Sequence, residues 1–110
     1  MNEWLENLKV GDKVIIKYNQ YDSRIASVEK VLKTGIRVDG MLFKNGFYKL
    51  NSWTFYNILQ YNEKNIRAYE VLKLKEFCSQ KLIKYLSSGD QEVFEAIKKL
   101  YISKHGNQAL

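Results

Sequence analysis

The spacing of glycines limits the fold of this chain more than any other feature. Gly11, Gly35, Gly40 and Gly46 cut the first 61 residues into short runs rich in β-branched and aromatic residues. Runs of that length, bounded by turn residues, predict strands. Two of the breaks, Asp39-Gly40 and Asn45-Gly46, carry the residue pair of tight two-residue hairpins. Both central positions of a type I′ turn need positive φ, which Asn, Asp and Gly tolerate best. Two such turns a few residues apart predict three short antiparallel strands in succession.

Residues 13–18 predict the first strand. Val14, Ile16 and Tyr18 share its core face, and Lys13, Ile15 and Lys17 share the other. Residues 24–32 predict a second strand whose faces are mixed, as in long bent strands that serve both sides of a small barrel. Residues 36–38, 41–44 and 47–50 follow. Residues 53–56 read as a helical turn and residues 58–61 as a closing strand. Phe43, Trp53 and Phe55 are the expected aromatic core. Five or six short strands hinged by glycine point to a barrel, because open edges in so apolar a chain invite aggregation. Trp4, Leu5 and Leu8 fall at helical spacing and predict a short lid over one end of the barrel. The other reading of Trp4 is an exposed ligand platform.

At Asn62 the pattern changes. Asn62 is a fair N-cap, and no Gly or Pro occurs between it and Leu86. Val71, Leu74, Cys78, Leu82 and Tyr85 lie along one helical stripe. Residues 87–89 break the helix, and Asp90 or Ser88 can cap another whose stripe is Val93, Ile97, Leu100 and Tyr101. An antiparallel helical hairpin is expected. The fold class is therefore α+β: a small SH3-like β-barrel with a helical lid over residues 1–61, then a two-helix extension over residues 62–110.

The chain has 18 Lys and Arg against 12 Asp and Glu, a formal net charge of +6, and 14% aromatic residues. The excess is shared evenly between the halves, so there is no basic tail. Such a balance favours a polyanion or an acidic protein surface as partner. No apolar run is long enough to span a bilayer, and the acidic start lacks the pattern of a secretory signal. With one cysteine, no internal disulfide is possible, which fits a cytoplasmic location.

Catalysis finds little footing. His105, the one histidine, follows a basic helical turn and reads as a cap or solvated residue. Cys78 lies on an apolar stripe and reads as a buried, inert thiol. One Cys and one His cannot build a usual zinc site. Asp12, Asp22 and Asp39 all occupy turn positions, where backbone bonding explains them. No phosphate-cradling glycine loop or nucleophile elbow occurs. A non-enzyme without metal or cofactor is expected.

Recognition is better supported. Tyr18, Tyr21, Phe47 and Tyr48 lie in or beside loops, interleaved with Lys17, Arg24, Lys44 and Lys49. Cations beside flat rings suit single-stranded nucleic acid, where the cations meet phosphates and the rings stack on bases. The expected contacts are Lys17, Tyr18, Tyr21, Arg24, Lys44, Tyr48 and Lys49. The plainer reading is that the lysines solubilise strand faces while the tyrosines lead their hydroxyls to water.

The run Trp4…Leu8-Lys9-Val10-Gly11-Asp12-Lys13-Val14, with Val28-Glu29-Lys30-Val31-Leu32-Lys33-Thr34, Ile36-Arg37-Val38 and Phe43-Lys44…Gly46, resembles small SH3-like barrel proteins of phages and prophages of Gram-positive bacteria. A segment similar to Ile58-Leu59-Gln60-Tyr61 leads many of these into a charged helix. The resemblance spans residues 4–75 and implies a fold and a mobile-element origin in a bacterial host. It assigns no functional residue. The expectation is an accessory protein that binds nucleic acid through a basic, aromatic barrel surface. The alternative is a protein-binding inhibitor or adaptor acting on a host enzyme or defence complex, in the manner of an anti-CRISPR protein. A structural subunit of a virion or replication assembly is a third.

Overall fold

The computed structural model describes residues 3–20 and 22–106. The chain divides into two compact units, residues Met1–Leu72 and Lys73–Leu110.

The first unit is an antiparallel barrel that is nearly closed. After a helical turn, α1 (Glu3–Glu6), come β1 (Lys13–Asn19), β2 (Asp22–Leu32), β3 (Gly35–Val38), β4 (Met41–Phe43), β5 (Phe47–Lys49) and β6 (Phe55–Gln60). Their order in the sheet is β4-β3-β2-β1-β6-β5. The outer strands meet at Lys44 and Phe47, whose backbones exchange N–H···O bonds of 2.8 and 3.0 Å. The two predicted turns do this closing. Asp39 and Gly40 have φ of 54° and 77°, and Asn45 and Gly46 have 52° and 86°, the signs that type I′ turns require.

β2 is the bent strand. Its first half pairs with β1 and its second with β3, with a register shift between Val28 and Lys30. A bulge there turns the strand from one side of the barrel to the other. Opposite its bend, Gly11 N–H donates to Val28 O at 2.8 Å and Val28 N–H donates to Asp12 O at 2.8 Å.

The core is Val14, Ile16, Val28, Ile36, Val38, Phe43 and Ile58, with Leu5 of α1 closing it. Trp4 and Leu8 pack half-buried against that cluster. Ile15 points the opposite way yet is only 1% exposed. Its cross-strand neighbours are Ile25 and Leu59. The first turns of α2 (Glu63–Phe77) belong to the same unit and carry half-buried Ile66, Tyr69 and Leu72. That stripe is apolar surface of the kind needed to seal Ile15 from water. Asn62 caps the helix as expected, its Oδ1 accepting from Asn65 N–H at 2.9 Å.

Two aromatic expectations are corrected. Trp53 is 91% exposed and Phe55 is 52% exposed. The supposed helical turn at residues 53–56 is instead a loop entering β6. Asn51 Oδ1 accepts from Trp53 and Thr54 N–H at 2.8 and 2.9 Å and sets that turn. β6 then pairs Tyr56 with Tyr48 and Phe55 with Lys49. This register puts Tyr56 and Ile58 inward and leaves Phe55 outside.

The second unit is helical. α2 runs into a π-helical turn (Cys78–Leu82), α3 (Ile83–Ser87) and, after a break, α4 (Gln91–His105). The break is a Schellman turn: Gly89 has φ of 85°, and Asp90 N–H donates to Tyr85 O at 3.0 Å. Asp90 Oδ1 then caps α4 by accepting from Val93 N–H at 3.0 Å. α4 packs against α3. Cys78 is exposed, not buried. Val71 and Leu74 of the same expected stripe are exposed as well, and the π turn adds a residue to the helical period beyond Cys78, so Leu82 and Tyr85 do not continue that stripe. None of the described helices is long and apolar enough to cross a membrane.

Candidate functional site

The side chains singled out in the sequence fall on two surfaces of the barrel. Tyr21 lies outside the described residues.

Tyr18, Arg24 and Tyr48 belong to one mouth of the barrel. Strand alternation turns Tyr18, Tyr48 and Tyr56 inward, where they pack half-buried against the core. The ring of Tyr56 lies between the other two, 4.7 Å from Tyr18 edge-on and 6.0 Å from Tyr48 nearly parallel. Tyr48 also meets Phe43, at 5.9 Å. The ladder Tyr18–Tyr56–Tyr48–Phe43 thus runs from the mouth into the core, and its rings pack on one another. Arg24 forms an ion pair with Asp39, and Tyr18 Oη donates to the same carboxylate at 3.3 Å. Asp39 does more than its turn position requires: its side chain holds two others in place.

Lys17, Lys44 and Lys49 belong to the outer face. The register brings Lys17 opposite Asn57 and Asn57 opposite Phe47, so one row crosses β1, β6 and β5. In the next row Lys49 lies opposite Phe55. Lys44 pairs with Phe47 at the turn. Directly paired residues share a face with Cβ atoms about 4.5–5.5 Å apart. The outer face therefore alternates three exposed lysines with two exposed rings, Phe47 at 56% and Phe55. At the end of the same hairpin stand Leu50 and Trp53, both exposed. Among the described residues none makes an ion pair or ring contact with the ammonium groups of these three lysines.

Beside Phe47 the surface dips into an open cleft of about 260 Å³. Trp4, Asn45, Asn57, Gln60 and Asn65 border it with Phe47. Its polar groups are amides. Asn65 Nδ2 is engaged by Gln60 O at 2.8 Å. Amides present a donor and an acceptor together, as the edges of nucleobases do.

Of the residues singled out in the sequence, Lys17, Lys44 and Lys49 share this face with Phe47, whereas Tyr18 and Tyr48 turn inward. Phe55 and Trp53 were missed as surface residues because aromatic character alone argues for burial. The signal that finds them is Asn51-Ser52 read as an Asx turn, which leaves Trp53 in the loop and starts the strand at Phe55, three residues earlier than expected.

Cys78 and His105 lie in the helical unit. His105 is exposed in the last turn of α4, its ring 4.7 Å from that of Tyr101. Among the described residues no group of His, Cys, Asp and Glu is placed to hold a metal.

Comparison with known protein families, curated proteins and solved structures finds no match to this chain.

Proposed function

We propose that this chain is a non-enzymatic accessory protein of a phage or related mobile element, and that it binds single-stranded nucleic acid on the outer face of β5, β6 and β1. The observation that carries the reading is the alternation of Lys17, Lys44 and Lys49 with Phe47 and Phe55, ending at Trp53. Three cations suit the phosphates of one strand, and the rings offer stacking surfaces that any base accepts. The amide-bordered cleft beside Phe47 gives an unpaired base somewhere to insert. Cations, rings and amides bind; they include no nucleophile and no acid–base pair.

The barrel is read as SH3-like. Support comes from the long bent β2, shared between two pairings, and from the tight hairpins that follow it. The location that goes with this reading is a bacterial cytoplasm.

Labelled single- and double-stranded DNA titrated at several salt concentrations tests the function. Single strands bind more tightly, and log K falls against log salt with a slope of about −2 for three phosphate contacts. Affinity without salt dependence contradicts the reading.

One observation favours a second reading. Phe47, Leu50, Trp53 and Phe55 outnumber the lysines on this face, and exposed aromatic clusters are common centres of protein interfaces. The ligand is then an acidic protein surface, such as that of a host enzyme or defence complex. Capture from host lysate that survives nuclease treatment supports this reading over the first.

A further inference from the structure

The unit formed by residues 73–110 presents a physical problem. None of its described side chains is buried. Leu74, Phe77, Ile83, Tyr85, Phe94 and Leu100 are all exposed. Most helical stability in proteins comes from packing an apolar face. Units of under about 40 residues usually need a disulfide, a metal or oligomerisation. The single cysteine excludes an internal disulfide, and no metal-binding group exists among the described residues. Pairing with a second copy supplies the missing cover.

The order of charges along α4 says what the partner is. Its acidic residues, Glu92 and Glu95 with the cap Asp90, all lie in the first half. Its basic residues, Lys98, Lys99, Lys104 and His105, all lie in the second. Such a helix complements itself when antiparallel and repels itself when parallel. The apolar residues agree. Phe94, Ile97 and Tyr101 follow one another at helical spacing, with Lys98 beside them. They line a groove of about 380 Å³ with Leu86 of α3. The Lys98 ammonium lies over the Phe94 ring, 5.8 Å from its centroid, at the edge of the stripe.

We infer that α4 is a self-pairing helix, and that two copies of this chain associate through antiparallel α4 helices about a two-fold axis near Ile97 and Lys98. In that arrangement Phe94 packs against the partner's Tyr101, and Glu95 falls beside the partner's Lys98. Symmetry makes each contact twice. The dimer carries two barrels, so a strand that engages both outer faces is held by avidity. The pairing itself does not depend on what the barrel binds.

Sedimentation of the full chain across the micromolar range tests this. A dimer is expected. E95K alone sets Lys beside the partner's Lys98, twice, and weakens association about tenfold; K98E does the same with glutamates. The double variant E95K/K98E restores both pairs and returns the association to within about threefold of the original. Both positions are exposed, and circular dichroism of each variant checks that the helices persist. F94S removes the central ring contact and leaves the chain monomeric. A chain that is monomeric throughout overturns the inference, whether its helices are covered by another protein or by nothing. A double variant as weak as the single ones overturns the antiparallel pairing.

Discussion

Arg24 and Asp39 form an ion pair that ties β2 to the turn between β3 and β4. Tyr18 Oη donates to the same carboxylate at 3.3 Å, and Glu29 Oε1 accepts from Gly40 N–H at 2.7 Å. Both central residues of the turn are thus fastened to earlier strands. The guanidinium of Arg24 works inside the fold, which distinguishes it from the three lysines of the outer face.

That difference is measurable. Arg24→Ala lowers stability by about 1 kcal/mol or less, because both partners are partly solvated. It leaves single-stranded DNA affinity within about twofold. Lys49→Ala instead weakens binding and makes the salt slope shallower by about 0.7. Urea denaturation and the salt-dependent titration read the two effects. An Arg24→Ala slope change equal to that of Lys49→Ala would place Arg24 on the phosphates.

What was legible in the sequence was local. Asp39-Gly40 and Asn45-Gly46 announce their turns because the needed φ is written in two adjacent residues. Asn62 and Asp90 announce helix starts because a cap acts within three residues. The inward face of β6 was not legible, since it depends on pairing with Tyr48 across the hairpin. Alternation from that pairing puts Phe55 on the outer face, where burial in the core was expected. The π turn at Cys78–Leu82 has no local marker either, and it moves Leu82 and Tyr85 off the expected stripe.

Trp53 separates folding from binding. It is the most exposed large apolar side chain among the described residues. Trp53→Ala therefore changes stability by no more than about 0.5 kcal/mol. If it stacks on a base, its loss costs about 1–3 kcal/mol of binding, at least fivefold in affinity. Fluorescence-anisotropy titration with a labelled single strand checks this, with thermal melting as the control. Unchanged affinity would remove Trp53 from the interface.

Ile15 tests the cover on the other face of β1. Ile15→Ala costs about 2–5 kcal/mol, as for a core isoleucine, although it points away from the core. Half-buried Ile25, its neighbour on β2, costs less. If the first turns of α2 provide the cover, Ile15→Ala and Ile66→Ala couple by at least about 0.5 kcal/mol in a double-mutant cycle. Urea midpoints of the four proteins supply the values. Strict additivity would mean that another part of the chain seals Ile15.

Gly35 limits how closely the barrel can be wound. A Cβ there would collide with the carbonyl oxygen of Phe43 and come 3.3 Å from Leu42 Cδ1. The first of these is backbone in a paired strand, where Ile36 lies opposite Phe43, so it cannot step aside as a flexible side chain can. Gly35→Ala must therefore part β3 from β4, at a cost of about 1–3 kcal/mol. The damage should centre on Phe43, the largest fully buried side chain. Urea denaturation gives the loss. Amide exchange places it: the β3–β4 amides lose protection while those between β1 and β2 keep theirs. A variant with the original midpoint and unchanged exchange would show that β3 and β4 have room for the added methyl group.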